Sequence, residues 1–188
     1  VADEVGPPAT APGPDGGIDE HGHGCRFAPS VRPVTDTLRA LIRDVPDFPQ
    51  PGIIFKDITP ILADAALFKA VIAHFASLFA GKGIEAVVGI ESRGFIFGAP
   101  LAVAMGTGFV PIRKPGKLPS KKIRVDYSLE YGTDSLEAHA DALQPGQRVL
   151  LMDDVLATGG TAGAAVQLVR QLGGEVAAFA FVVELAFL

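Results

Sequence analysis

The segment Val149–Gly163 limits the possible folds more than any other. Val149–Met152 is an uninterrupted apolar run; Asp153 and Asp154 follow, and then Ala157, Thr158, Gly159, Gly160 and Thr161 lead into a helix. A short apolar run of this kind suits a strand buried on both faces, and Ala164, Ala165, Leu168, Val169 and Leu172 recur at the spacing of one helix face. The loop between them therefore stands at the carboxyl end of a strand, the edge where α/β sheets bind ligands. Gly159 and Gly160 let the backbone approach a ligand, and the free amides of the helix start, with the hydroxyls of Thr158 and Thr161, suit a phosphate. Two carboxylates repel that phosphate, so their use lies beside it: accepting hydrogen bonds from sugar hydroxyls and stabilising positive charge that develops on the ring. The spacing is neither that of a nucleotide-triphosphate loop nor that of a dinucleotide fold. A Gly-rich connection without a ligand would need neither paired acids nor two threonines.

The length of 188 residues fits one domain with a sizeable core. Residues 1–32 are rich in Pro, Gly and acids and poor in large apolar side chains, and read as a disordered tail; residues 33–188 read as the folded domain. In the tail, His21, His23 and Cys25 lack a second cluster to complete a metal site. With Cys25 as its single cysteine the chain forms no internal disulfide, and no apolar run approaches the roughly 20 residues of a membrane span. The expectation is a soluble, cytoplasmic protein without membrane or nucleic-acid partners, the net charge of −5 arguing against the latter.

Beyond the tail, helical and strand patterns alternate. Helices are expected at about 35–43 and 65–80, the latter with Leu67, Val71, Phe75, Leu78 and Phe79 inward and His74 in a structural place. Strands are expected at 86–90, 109–113, 149–153 and 176–184, and helices at 95–105 and 161–172. Repeated βα units predict an α/β fold with a mostly parallel, doubly wound sheet.

Three more segments fall at the same sheet edge. Glu91, Ser92, Arg93 and Gly94 turn from strand to helix and offer amides and a guanidinium to an anion. Arg113, Lys114 and Lys117 place three cations just after a strand, where a diphosphate would need them. Tyr127–Gly132, with Glu137 and His139 behind it, reads as a long hairpin or lid of the kind that closes over a site.

Together these segments resemble the adenine phosphoribosyltransferases, within the type I phosphoribosyltransferases, over essentially all of Pro46–Glu184. Asp47–Pro60 is similar to the family's base-binding hood, Glu91–Phe95 to its pyrophosphate loop, Leu129–Gly132 to its lid, and Asp153–Thr161 to its phosphoribosyl pyrophosphate signature. The resemblance implies transfer of ribose 5-phosphate from phosphoribosyl pyrophosphate to adenine, giving AMP and pyrophosphate, with magnesium as the required ion and a homodimer as the assembly. It implies that Ala157, Thr158, Gly159, Gly160 and Thr161 bind the 5-phosphate, with Asp153 and Asp154 beneath the ribose. Ser92, Arg93, Arg113, Lys114 and Lys117 would hold the pyrophosphate. Phe55 would stack on the purine while backbone groups of Ile54 and Lys56 read its edge. Glu130 would manage a proton on the base, whereas Glu137 reads as a solvated lid carboxylate. Magnesium, which prefers hard oxygens and keeps its waters, would be held mainly by substrate rather than by a protein cage. After the last expected strand the chain reads as short of a further family segment of about twenty residues that would cover a sheet edge.

Two other readings compete. A phosphoribosyltransferase for hypoxanthine or xanthine would lack the hood run Phe48–Gly52. A regulator that keeps the fold as a non-catalytic phosphoribosyl pyrophosphate sensor would carry a DNA-binding helix pair ahead of it, for which residues 1–32 are too short and too poor in apolar side chains.

Overall fold

The computed structural model describes residues 34–129 and 132–185. The expectations for the 1–32 tail, including His21, His23 and Cys25, and for Glu130 fall outside them. The elements run α1 (Val34–Leu41), β1 (Arg43–Pro46), β2 (Ile54–Asp57), α2 (Thr59–Ala63), α3 (Ala65–Phe79), β3 (Ala86–Ile90), α4 (Arg93–Met105), β4 (Gly108–Ile112), β5 (Lys122–Leu129), β6 (Gly132–His139), β7 (Arg148–Leu156), α5 (Gly160–Gln171) and β8 (Glu175–Glu184).

β4, β3, β7 and β8 form the central sheet in that order, every neighbour parallel. Its two middle strands explain the arrangement. All of β3 and Val149–Met152 of β7 are buried, and their side chains divide with the two-residue period of a strand. Ala86, Val88, Ile90, Val149 and Leu151 face α5 and the β5–β6 hairpin; Val87, Leu150 and Met152 face α2, α3 and α4. A strand apolar on both faces must be covered on both, and the crossovers through α4 and α5 supply the cover. Complete burial of side chains such as Leu150, Leu151 and Leu168 contributes about 1.5–3 kcal/mol each.

The parallel, doubly wound sheet agrees with the expected fold class. Three local readings do not. β7 runs three residues beyond Asp153, pairing Val155 with Val183 and Leu156 with Glu184, so Asp154 as well as Asp153 lies inside the strand. In α3, Leu78 is 49% exposed while Ile72 is buried. That helix is apolar nearly all round, so its period does not single out the inner face. His74 lies on the exposed side of α3 and holds no structural place in the core. Between the first helix and α2, the chain forms an antiparallel pair, β1 with β2, separate from the main sheet.

Helix α4 approaches β7 closely, and glycine makes the approach possible. A Cβ at Gly94 would lie 2.8 Å from the Met152 carbonyl oxygen and 2.9 Å from Asp153 Oδ1. Gly94→Ala is therefore expected to destabilise the fold by about 1–3 kcal/mol by forcing α4 off the strand. Gly163→Ala, where a Cβ meets nothing within 4 Å on a helix, is expected to stabilise it by about 0.5–1 kcal/mol. Urea denaturation of both variants checks the pair of signs.

Candidate active site

A cleft of about 530 Å³ opens at the carboxyl ends of β3 and β7. Glu91, Ser92, Arg93, Lys114, Phe181 and the whole run Asp153–Ala162 line it. One wall is the start of α5. Gly159 caps the helix with φ 82°, a left-handed conformation that favours glycine, and its carbonyl accepts from Gly163 N at 2.8 Å. Among the described residues no side chain caps this end and no acid stands in its first turn, so the amides and the positive end of the helix dipole suit an anion.

Beside this anion site are the two acids. Asp154 is 4% exposed, and Arg93 Nε lies 2.7 Å from its Oδ2. The N–H does not point along that line, so Oδ2 has no hydrogen-bond donor among the described residues. A buried carboxylate oxygen with a charge beside it and no donor is poised to accept a hydroxyl. Asp153 Oδ1 accepts from Asp154 N at 2.9 Å. Burial pushes the Asp153 carboxyl up to about 7; the Asp154 N–H bond opposes this and the Asp154 carboxylate adds to it.

Arg93 also connects the cleft to the hood. Its guanidinium carbon lies 5.1 Å from the centre of the Phe55 ring, which meets Phe48 edge-on at 5.2 Å. Phe55 thus adjoins the cleft through Arg93, whereas Ile54 is 54% exposed and Lys56 pairs with Asp44 at 2.5 Å. None of the three hood residues lines the cleft itself.

The basic loop is held differently from the sequence expectation. Arg113 donates to both oxygens of Glu91, at 3.1 and 3.2 Å, and Lys114 N donates to Glu91 Oε2 at 2.9 Å. Burial raises the Glu91 carboxyl, but these donors outweigh it and leave it below the usual range. Glu137, expected to be solvated, is 4% exposed. It accepts from Gly116 N at 3.0 Å and pairs with Lys122 at 3.1 Å, so it fastens the basic loop to the hairpin. Of the three cations, only Lys114 lines the cleft; Arg113 is engaged by Glu91, and Lys117 is an exposed residue whose carbonyl accepts from Arg113. Sequence reading assigned no role to Glu91, Tyr127, Asp134 or Phe181. The only available signal for Glu91 was an acid at the end of one strand facing cations at the end of the next.

A parallel sheet carrying an uncapped glycine-containing loop, paired acids and a basic turn at one edge is the arrangement of a type I phosphoribosyltransferase, and residues 58–186 match the phosphoribosyl transferase domain. Over 152 residues the chain is 62% identical to the adenine phosphoribosyltransferase of a Synechococcus strain, spanning 80% of this chain and 87% of that one. It belongs to the adenine phosphoribosyltransferase family, glycosyltransferases of purine salvage. The crystal structure of adenine phosphoribosyltransferase from Thermoanaerobacter pseudethanolicus is similar with a TM-score of 0.80 at 52% identity, covering 82% of this chain and 90% of that one. The Saccharomyces cerevisiae enzyme, solved with an imino-altritol bisphosphate and adenine, is similar with a TM-score of 0.77 at 42% identity, covering 82% and 90%.

The Asp153 carboxyl yields a test. Its ordinary value is 3.8 and its folded value about 7, so between them the folded chain holds a proton that the unfolded chain has released. Stability therefore falls as pH rises through this window, and the full cost is present above it. Asp153→Asn removes the charge and keeps the oxygen that accepts from Asp154 N. It is expected to raise Tm by about 3–6 °C at pH 8 and by almost nothing at pH 4. Calorimetry at the two pH values checks this; an equal gain at both would assign the effect to packing.

Proposed function

We propose that this cleft transfers the 5-phosphoribosyl group of phosphoribosyl pyrophosphate to adenine, with the roles divided as the geometry suggests. The observation that carries the reading is the donorless, buried Oδ2 of Asp154 directly beside an uncapped helix start, which together offer one sugar-hydroxyl acceptor and one phosphate cradle. The Ala157–Thr161 loop holds the 5-phosphate and fixes the anomeric carbon relative to the acids. Asp154 and Asp153 accept the ribose hydroxyls, and their negative charge stabilises the ring as it becomes cationic. Lys114, Ser92 and Arg93 receive the leaving diphosphate at the opposite wall, with Lys117 at the rim and Arg113 shaping the loop from behind.

The purine takes the face of Phe55. At 5.1 Å from the ring centre, Arg93 leaves no room for an intervening base, so its guanidinium shifts outward on binding. As an imidazole nitrogen of adenine bonds to the anomeric carbon, the bond from that carbon to the diphosphate oxygen breaks, and the nitrogen's proton passes to Glu130. Pyrophosphate and AMP are the products.

The donor set fits magnesium as a substrate-borne ion. Hard carboxylate oxygens stand at Asp153 and Asp154, and the described residues contain no group of three acids or histidines that would enclose the ion. When bound, magnesium would neutralise the diphosphate and ease its departure. The same reading includes a homodimer, for which the apolar outer face of α4, with Ile96 40% and Val103 81% exposed, is the surface we assign. It also includes a cytoplasmic location, which a sequence with a single cysteine suits. No helix among the described residues is long and apolar enough to cross a membrane.

Incubating the chain with phosphoribosyl pyrophosphate, magnesium and each of adenine, hypoxanthine and guanine tests the proposal. AMP formation from adenine alone is expected; equal turnover of another base would reassign the hood, and binding without product would make the chain a sensor. Glu130→Gln is expected to lower kcat by about 100-fold while both KM values stay within a few-fold, the pattern of an interaction made only in the transition state. Initial-rate kinetics distinguish this from a lid residue that only covers the site, for which KM would move with kcat or neither would change.

A further inference from the structure

Lys114 lines the cleft, but its ammonium is already taken. Nζ donates to Tyr127 Oη at 3.2 Å and to Asp134 Oδ2. Tyr127 Oη donates in turn to Asp134 Oδ2 at 3.2 Å and accepts from Thr161 Oγ1 at 3.3 Å. Tyr127 and Asp134 stand directly opposite one another in the β5–β6 register, so their side chains share a face. Asp134 is itself fixed, since its Oδ1 accepts from Ser135 N at 2.7 Å. The basic loop, both hairpin strands and the start of the phosphate-loop helix thereby meet in one polar cluster at the cleft.

An ammonium has three donors, and here Tyr127 and Asp134 take two of them. A diphosphate arriving at Lys114 must compete with a carboxylate already on that cation, and an Asp134 left in place would repel it. We infer that Asp134 is a positioning residue: an internal counterion that holds Lys114 in reserve and is exchanged for the substrate's diphosphate, so that it sets the affinity for that group and ties the hairpin to the state of the cleft. This inference rests on the reading of the cleft as a phosphoribosyl pyrophosphate site. Opening the Lys114–Asp134 pair removes one of the hairpin's side-chain ties to the basic loop, while Tyr127 keeps its bond to Thr161. The hairpin is then free to rearrange over the substrate.

Asp134→Asn, Lys114→Gln and the double variant, made in the full chain, test it. Calorimetric titration with magnesium pyrophosphate should show Asp134→Asn binding about fivefold tighter than wild type, the size of a lost competing ion pair. The KM for phosphoribosyl pyrophosphate should fall in parallel while the KM for adenine stays within about twofold, a split that general loosening of the hairpin would not produce. In the Lys114→Gln background, Asp134→Asn should change pyrophosphate affinity less than about twofold, because its effect passes through Lys114. Weaker or unchanged binding in Asp134→Asn would overturn the inference, and an undiminished gain in the double variant would reduce it to long-range charge. Asp134→Ser repeats the test should the Asn variant fail to fold by circular dichroism. A wild-type chain that binds no pyrophosphate would overturn the reading of the cleft itself; binding that Asp134→Asn leaves unaltered would overturn only the role of Asp134.

Discussion

The parallel pairing of β3 with β7 is the constraint on which the site depends. In this register Gly89 lies beside Met152, so the turn after β3 stands level with the acids of β7. β3 ends at Ile90, and from Asp153 onward β7 has a hydrogen-bonded neighbour only in β8. The vacated side is where α4 begins, with Gly94 against the Met152 carbonyl and Arg93 against Asp154. Two buried, paired apolar strands thus fix the distance between Arg93 at the start of α4 and the acids of β7. Rigid placement of this kind is how a site exchanges folding free energy for catalytic geometry.

Charge is arranged around that frame in matched pairs. Glu91 holds Arg113, Glu137 holds the Gly116 turn and Lys122, Asp134 holds Lys114, and Asp154 adjoins Arg93. Each acid compensates a cation that would otherwise be costly to gather with others beside a cleft. The pairs differ in use. Glu91 and Glu137 are largely buried and bond main-chain amides as well as cations, which suits fixed supports. Asp134 is about one-third exposed and shares a lysine that lines the cleft, which suits a contact that opens. Solvation thus separates the clamps from the latch.

Much of this was legible in the sequence, and the exceptions have physical causes. β3 was read with its true bounds because apolar residues fill it between polar flanks. β7 was read short because apolar content stops at Asp153, although a strand with one unpaired edge tolerates acids that face a cleft. That Asp153–Thr161 would line a cleft was legible because small residues, hydroxyls and paired carboxylates seldom coincide without a ligand. Glu137 was misread as solvated because four consecutive residues of β6, Ser135–Ala138, are buried, so the strand shows no alternation from which an inward carboxylate could be inferred. Arg113 reads as a ligand for an anion in any sequence; only the fold reveals that Glu91 reaches it first. Asp134 carried no signal, since its partner is set by hairpin register and loop position together.

Arg93 makes the hood part of the site despite its separate sheet. β1 and β2 share no hydrogen-bonded edge with the central strands, and the hood residues do not line the cleft. Yet a single guanidinium lies over Phe55 and beside Asp154, touching the proposed base surface and the proposed ribose acceptor. It offers partial compensation to both: a cation on an aromatic face and a positive charge beside a carboxylate oxygen without a donor among the described residues. Neither contact is well satisfied, because the N–H misses Oδ2 and 5.1 Å is near the outer range of a cation over a ring. Under the proposed roles, a shift of that one guanidinium alters the surroundings of the base face and of the ribose acceptor together.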